Sequence, residues 1–506
     1  MHSEIKDLIV IGGGINGIGI AEDAIGRGLS VALLESHDLA CSASSSTTKL
    51  IRSGLNYLER KKLAITKESL EERDIILKKA SHITQVIRFC TPYNPQLKSY
   101  NSKKIRIFLY DFLGKKSKLP KREKIKFEAN SILKPEFKKG IEYSDCFIDD
   151  SRLVILNAID FKERGGELYT KNHVTKISKE NDLWRIDSFN KLTQKEETRY
   201  SRGIVNASGL WIQEILKETA KEVKTSLKSK FIKGSHIVIE NPYDNPKAYS
   251  FQNNDGRIVY LIPWMDRFAI IGSSSTPEYQ NELRKINISD EEELYLLQAY
   301  NNYFKKQLSK DDIIWSYSGI RALSDGEVSK NGKVISKNYS IDLSDNNGKM
   351  PFLNVFSGKL TTYRKLAEVA LNKLSKYYPQ ATGPWTKDSI LPGSDIQNSK
   401  EDFIKSIQKQ YYWLPKNIAK HYACTYGTRV HILLDGVNNM SGLGEYFGST
   451  LYEKEIEYLV KYEWVIELND LIWRRTKLGL YLSKEQKSNI GQWLQDYFKD
   501  ENIYNN

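Results

Sequence analysis

No run of 18 or more apolar residues occurs in this 506-residue chain, so no segment reads as a membrane-spanning helix. Cysteine is scarce. Cys41, Cys90, Cys146 and Cys424 are widely scattered, without Cys-x-x-Cys or metal-ligand spacing, which argues against a structural zinc and for a reducing compartment. No charged-then-apolar leader precedes the first motif, so a cleaved signal peptide is not expected. Internal repeats, long low-complexity tracts and nucleic-acid-binding motifs are missing too. Acidic residues are outnumbered, 63 against 76 Lys and Arg, for a net charge of +13. That balance suits anionic partners: a phosphorylated substrate, an acidic membrane surface or nucleic acid. With no motif to accompany it, nucleic acid is declined. A generally lysine-rich composition is the plainer reading of the charge.

What is present begins at once. Asp7-Leu-Ile-Val-Ile-Gly12-Gly-Gly14-Ile-Asn-Gly17 reads as a short apolar strand running into glycines spaced G-x-G-x-x-G, then a helix of small residues, then Ser30-Val-Ala-Leu-Leu-Glu35 as a second strand ending in an acid. Gly12 allows a tight turn, Gly14 lets backbone N–H groups approach a pyrophosphate, and Gly17 lets the helix pack on the sheet. Glu35 lies 18 residues past Gly17, where an acid can accept hydrogen bonds from a ribose. The whole register, rather than the glycines alone, predicts a dinucleotide site.

Leu39 to Lys49 is a small-residue, hydroxyl-rich loop suited to a polyanion or a planar cofactor. Residues 58–92 have helical spacing. Strand-like segments follow around 170–210 and 231–275, and the β-rich middle predicts a second sheet covering the cofactor. Phe352 to Thr362 reads as a strand feeding a helix over about 363–378, a second place where N–H groups can face a cofactor. Gly383-Pro-Trp and Leu391-Pro-Gly-Ser read as a linker, and the chain beyond about 398 as a helical domain.

With Lys6-Asp-Leu-Ile-Val-Ile-Gly-Gly-Gly-Ile-Asn-Gly, Lys233-Gly-Ser-His-Ile-Val, Tyr317-Ser-Gly-Ile-Arg321, Gly358-Lys-Leu-Thr-Thr-Tyr-Arg-Lys-Leu-Ala-Glu368 and Trp473-Arg-Arg-Thr-Lys477 laid out, the chain resembles the aerobic, FAD-dependent glycerol-3-phosphate dehydrogenases of bacteria over nearly its whole length. The resemblance implies an α/β fold: a Rossmann-like FAD-binding domain with a β-rich substrate domain, as in amino-acid-oxidase-like flavoproteins, plus a helical C-terminal domain. The first two would share residues 1–390, with FAD segments at about 1–80, 145–230 and 340–390 and a cap at about 81–144 and 231–339; the helical domain would take 391–506.

The implied cofactor is FAD, held noncovalently by Gly12, Gly14, Asn16, Gly17, Glu35, Ser42, Ser45, Ser46, Thr47, Lys49, Leu50, Val174, Ala207, Gly209, Gly358, Leu360 and Thr361. The implied reaction is oxidation of sn-glycerol 3-phosphate to dihydroxyacetone phosphate by hydride transfer to flavin N5. Electrons then pass to membrane ubiquinone or menaquinone, with the enzyme cytoplasmic and seated on the anionic inner face of the cell membrane. The oligomeric state is open, a homodimer among the options. Arg321 and Lys359 would be catalytic. Arg321 binds a substrate oxygen as a planar fork, and Lys359 stabilises the reduced flavin or takes a proton if its pKa is lowered.

The substrate side departs from the family pattern. Where the family has Lys-Leu-Ile-His-Gly-Gly-x-Arg-Tyr-Leu-Glu, this chain has Lys49-Leu-Ile-Arg52-Ser53-Gly54-Leu-Asn56-Tyr57-Leu-Glu59. Gly-Thr-Thr-Asp becomes Gly272-Ser-Ser274-Ser275, and a phosphate-facing arginine becomes Lys337. Substrate contacts are therefore expected from Arg52, Asn56, Tyr57, Ser274, Arg321 and Lys337. Arginine stays protonated and cannot replace a histidine as base. These changes leave two alternatives: an FAD enzyme for another small hydroxy or amino acid, or a catalytically weakened binding protein. Three other signals are read plainly. His236 is read first as a structural histidine and second as a flavin- or substrate-proximal one, and Trp473-Arg474-Arg475 as a packing and salt-bridge element. The basic, apolar stretch Lys103 to Lys118 is either an interfacial segment or a core-packed helix.

Overall fold

The computed structural model describes residues 4–52, 63–94, 119–278, 287–324 and 339–500 apart from 224, 226 and 244, with backbone only at 273–278 and 500. Two sheets organise the first 360 or so residues. The first holds β1 (Lys6–Ile11), β2 (Val31–Leu34), β7 (Glu167–Tyr169), β8 (Asn172–Glu180), β9 (Leu183–Asn190), β10 (Lys195–Asn206), β16 (Tyr339–Asn346) and β17 (Lys349–Ser357), in the order β16-β17-β10-β1-β2-β7, with β8 and β9 extending from β10. β1 is buried along its full length and runs parallel to both β10 and β2, which is why Leu-Ile-Val-Ile is a continuous apolar run rather than an alternating one. The helix Ile15–Gly26 crosses from β1 to β2 and packs against the helices Asp150–Glu163 and Tyr363–Leu374.

The second sheet takes β3 (Leu50–Ile51), β4 (Thr84–Pro92), β5 (Glu123–Lys126), β6 (Lys139–Ile148), β11 (Ser229–Glu240), β12 (Ala248–Gln252), β13 (Ile258–Trp264), β14 (Phe268–Glu278) and β15 (Ile313–Ser324), ordered β15-β11-β14-β13-β12-β4-β6-β3. One face packs on the helix Asp290–Asn301, where Leu296, Leu297 and Tyr300 meet Ile237, Ile271 and Leu261. A capping box between Ser289 and Glu292 starts that helix. The helical reading of 58–92 needs correction. The described helix is Leu63–Lys79, and Thr84–Pro92 is a strand paired with β6 and β12. Its alternating, β-branched Thr-Gln-Val-Ile-Arg-Phe-Cys-Thr suits a strand between two partners, and tertiary pairing overrides the helical spacing. The stretch Lys103 to Lys118 lies outside the described residues.

Beyond residue 399 the helices Lys400–Gln410, Lys416–Tyr426, Glu453–Glu463 and Lys484–Asp500 close around their own core of Tyr422, Leu459, Leu471 and Ile490. This unit is tied to the layer of the first sheet by buried ion pairs. Arg475 grips Asp38 through two bonds of 2.7 and 2.8 Å, Arg152 pairs with Glu463, and Lys477 pairs with Asp149. Trp473 stacks on Trp315 of β15 with centroids 4.5 Å apart. Trp473-Arg474-Arg475 is thus the packing and salt-bridge element that its composition suggested.

Candidate active site

Chain turns at the carboxyl ends of β1, β10 and β17 meet at one cavity of about 1030 Å³ that also reaches the second sheet. At the first turn Gly12 has φ +111°, and a Cβ there would lie 2.7 Å from the carbonyl oxygen of Ala207, at the end of β10. Gly17 faces the loop rather than the cavity: a Cβ would stand 1.9 Å from the Gly12 oxygen. Gly17→Ala must therefore push the helix off the glycine turn. At roughly 1–3 kcal/mol for overpacking, the variant is expected to hold a cofactor at this turn more weakly, read as the ratio of cofactor to protein absorbance after purification.

Glu35 ends β2 with one carboxylate oxygen accepting from the Gly13 N–H at 2.6 Å and the other from the His37 N–H at 2.8 Å. Burial pushes its pKa up, against those two N–H groups. The acid thereby braces the glycine turn while lining the cavity beside Val174 and Asn172.

The hydroxyl loop wraps the far side. Ser44, which the sequence reading did not single out, accepts from the Ile15 N–H at 3.0 Å and caps the open helix start. Thr47 donates from its hydroxyl to Asp150 at 2.8 Å, and Lys49 pairs with the same carboxylate at 2.7 Å. Ser42, Ser46, Thr47 and Leu50 line the cavity, whereas Ser45, Lys49 and Gly17 do not. Lys49 is nearly inaccessible and donates inward to the Ser45 carbonyl, so its side chain fixes the loop from behind instead of facing a ligand. A lysine this buried needs its carboxylate, and Asp150 supplies it.

The third turn follows β17. Gly358 has φ +119°, and a Cβ would strike the Asn16 amide at 2.3 Å. Asn16 donates to the Ser357 carbonyl at 3.0 Å, linking the first helix to this turn. Asn16 Oδ1 and Ser357 Oγ are buried with no protein partner. Ala207, Gly209, Leu360 and Thr361 complete this wall. Bare backbone at Gly12, Gly14 and Gly358, two orphaned polar atoms and a braced acid fit an extended, hydrogen-bonding cofactor with a phosphate at the helix start.

Where the cavity meets the second sheet stand Arg52, His236, Tyr260, Arg321 and Lys359. Burial pushes the Lys359 amine down to about 7. Burial, with the charges of Arg52 and Lys49, lowers His236 to about 3, so its ring is neutral. His236 Nε2 lies 3.5 Å from the Thr48 hydroxyl and Nδ1 has no protein partner. His236 therefore belongs to the cavity as well as to the packing, and Thr48 and Tyr260 join it there. No local spacing announces them, because β11, β13 and the hydroxyl loop come together only in the fold. Ser53, Asn56, Tyr57 and Lys337 lie outside the described residues. Ser274 and Ser275 are placed only as backbone, in register with Ser235 and Gly234.

Fold and site together define an FAD-dependent oxidoreductase; residues 7–346 match the family model "FAD dependent oxidoreductase", and 384–499 match "C-terminal domain of alpha-glycerophosphate oxidase". The chain is 47% identical to the aerobic glycerol-3-phosphate dehydrogenase of Escherichia coli K12 over 98% of both chains, and 37% identical to a D-erythritol 1-phosphate dehydrogenase of Brucella abortus over 97% of this chain and 98% of that one. It therefore belongs to the aerobic, FAD-dependent glycerol-3-phosphate dehydrogenases. The fold also matches the FAD-complexed glycerol-3-phosphate dehydrogenase structure from Bacillus halodurans, with a TM-score of 0.75 at 23% identity, covering 99% of this chain and 95% of that one.

Proposed function

We propose that this chain oxidises sn-glycerol 3-phosphate to dihydroxyacetone phosphate with FAD in the cavity described above, and hands the electrons to a membrane quinone. The observation that carries the reading is that Arg321, Lys359 and neutral His236 share one cavity with the glycine turn. FAD, when bound, supplies the hydride acceptor. The chain itself holds it through the Gly12–Gly17 turn, the loop around Ser42–Thr47 and the Gly358–Thr361 turn. Arg321 offers a permanent, planar cation to the substrate C2 oxygen, on which negative charge grows as the hydroxyl proton is lost and from which it drains as the carbonyl forms. Lys359, with a pKa near 7, takes the hydroxyl proton. His236 stays neutral and presents Nδ1 to the ligand.

The direction of the Lys359 shift fixes a pH dependence. Above pH 7 its amine is mostly neutral and can accept the proton; below, it is already protonated and cannot. Flavin reduction at saturating substrate is expected to quicken as pH rises through about 7. Lys359→Met should be slower and lose that rise. An unchanged midpoint in the variant would assign the titration elsewhere.

The net charge of +13 supports an anionic membrane surface as the place where quinone is met, at the cytoplasmic face. No helix among the described residues is long and apolar enough to cross a membrane, which leaves a peripheral attachment as the form proposed. The deciding experiment is anaerobic addition of glycerol 3-phosphate to the flavin-loaded protein. Bleaching of the flavin band supports the reading; bleaching only by D-erythritol 1-phosphate would favour the longer polyol on which the Brucella relative acts. Quinone reduction on anionic vesicles then tests the acceptor.

A further inference from the structure

A row of residues crosses the second sheet under the cavity. The registers pair Tyr317 on β15 with His236 on β11, His236 with Gly272 on β14, and Gly272 with Tyr260 on β13. His236 stacks on Tyr317 with centroids 4.6 Å apart and planes 9° off parallel. On its other side it leans across Gly272, where a Cβ would come within 2.1 Å of the imidazole. Tyr260 ends the row, and the Arg52 guanidinium lies 4.4 Å from its ring centroid. Arg52 itself follows β3, whose Ile51 pairs with Cys146, and donates to the Thr48 hydroxyl.

The ring fixes the tilt of the guanidinium and Thr48 fixes its position, so its N–H edge is already oriented. With five donors, an arginine can hold Thr48 and a bound oxyanion together. The other cations lining the cavity among the described residues have different placements. Arg257 is paired with Asp255 at 2.6 Å and lies over Tyr295. Lys359 carries only part of a charge near neutrality. Arg321 is engaged at the reacting oxygen in the mechanism above.

We propose that Arg52 is the specificity-determining anion clamp of this chain: its guanidinium takes the phosphate of the polyol phosphate and selects the phosphomonoester over the neutral polyol. The proposal rests on the functional reading above and deepens it.

The test uses the flavin-loaded full chain with Arg52→Gln and Arg52→Lys. Losing one charge-assisted contact predicts a rise of roughly 10- to 150-fold in KM for glycerol 3-phosphate and in the inhibition constant of inorganic phosphate for Arg52→Gln, with kcat much less affected. The ratio of kcat/KM for glycerol 3-phosphate to that for unphosphorylated glycerol should fall accordingly. Arg52→Lys, which keeps charge but not the fork, should fall between. If Arg52→Gln fails to retain flavin, the lysine variant carries the measurement. Both constants within about twofold of the parent would overturn the clamp, as would a fall in kcat at constant KM, which places Arg52 at the reacting carbon instead. Failure of the functional reading looks different. The parent's flavin would not bleach with glycerol 3-phosphate, while binding of inorganic phosphate, followed by its perturbation of the flavin spectrum, would still weaken in Arg52→Gln.

Discussion

Arg321→Met is expected to slow reduction of the bound flavin by glycerol 3-phosphate about 10²–10³-fold at saturating substrate, with flavin content unchanged. Arg321 stands on β15 opposite Ile232 and lines the same cavity as the Gly358 turn. Its cation is independent of pH, unlike Lys359, and its fork can follow an oxygen from hydroxyl to carbonyl as charge develops. A group whose contact strengthens only along the reaction raises kcat rather than lowering KM. The variant should therefore lose rate much more than affinity, and Arg321→Lys should recover part of it. Stopped-flow bleaching under anaerobic conditions separates the two quantities. A rate within about threefold of the parent would remove Arg321 from the chemistry.

The largest effect on stability is expected from Arg475→Leu, at about 3–5 kcal/mol in urea-induced unfolding. Arg475 is fully buried, makes both bonds to Asp38 and donates to the Glu463 carbonyl from Nε and Nη2, at 3.0 and 2.6 Å. Removing it leaves a carboxylate inside the protein with only Arg474 beside it. Asp38 is held below the usual carboxylate range by these two arginines against the opposing effect of burial, so the charge is native and its isolation is costly. Adding Asp38→Asn to Arg475→Leu should return part of the loss, because the stranded charge is then gone. A loss below about 1 kcal/mol for Arg475→Leu would mean that water reaches Asp38 and that the pair is not dry.

The cofactor half of the site was legible because its signals are local. One stretch of 30 residues carries the strand, the glycines, the helix and the acid, and the structure returns them as β1, the helix Ile15–Gly26 and β2. The Gly358 turn was legible for the same reason. The part of the cavity that meets the second sheet is assembled from β3, β11, β13 and β15, which are separated by up to 270 residues, as the bond from Tyr317 to the Thr47 carbonyl shows. No periodicity within one segment can announce a row that runs across strands. Lys49 illustrates a second limit: a cation in a cofactor loop reads as a ligand group until its partner Asp150, a hundred residues on, turns it away. The misread strand at 84–92 is a third, where pairing with β6 and β12 outweighs local spacing.

The Asp38–Arg475 pair also sets an order of events. Its two members are 437 residues apart, and Asp38 sits only three residues past Glu35, between His37 and Ala40, which line the cavity. During synthesis the glycine turn, the first helix and β2 emerge early, but the arginine partners of Asp38 arrive only when almost the entire chain exists. Contacts of such separation form late and slowly. The newborn protein thus passes through a long interval in which the Asp38 carboxylate lacks both arginines, and docking of the last domain supplies them. A chain that stops before Arg474 keeps the whole glycine motif and never acquires the latch.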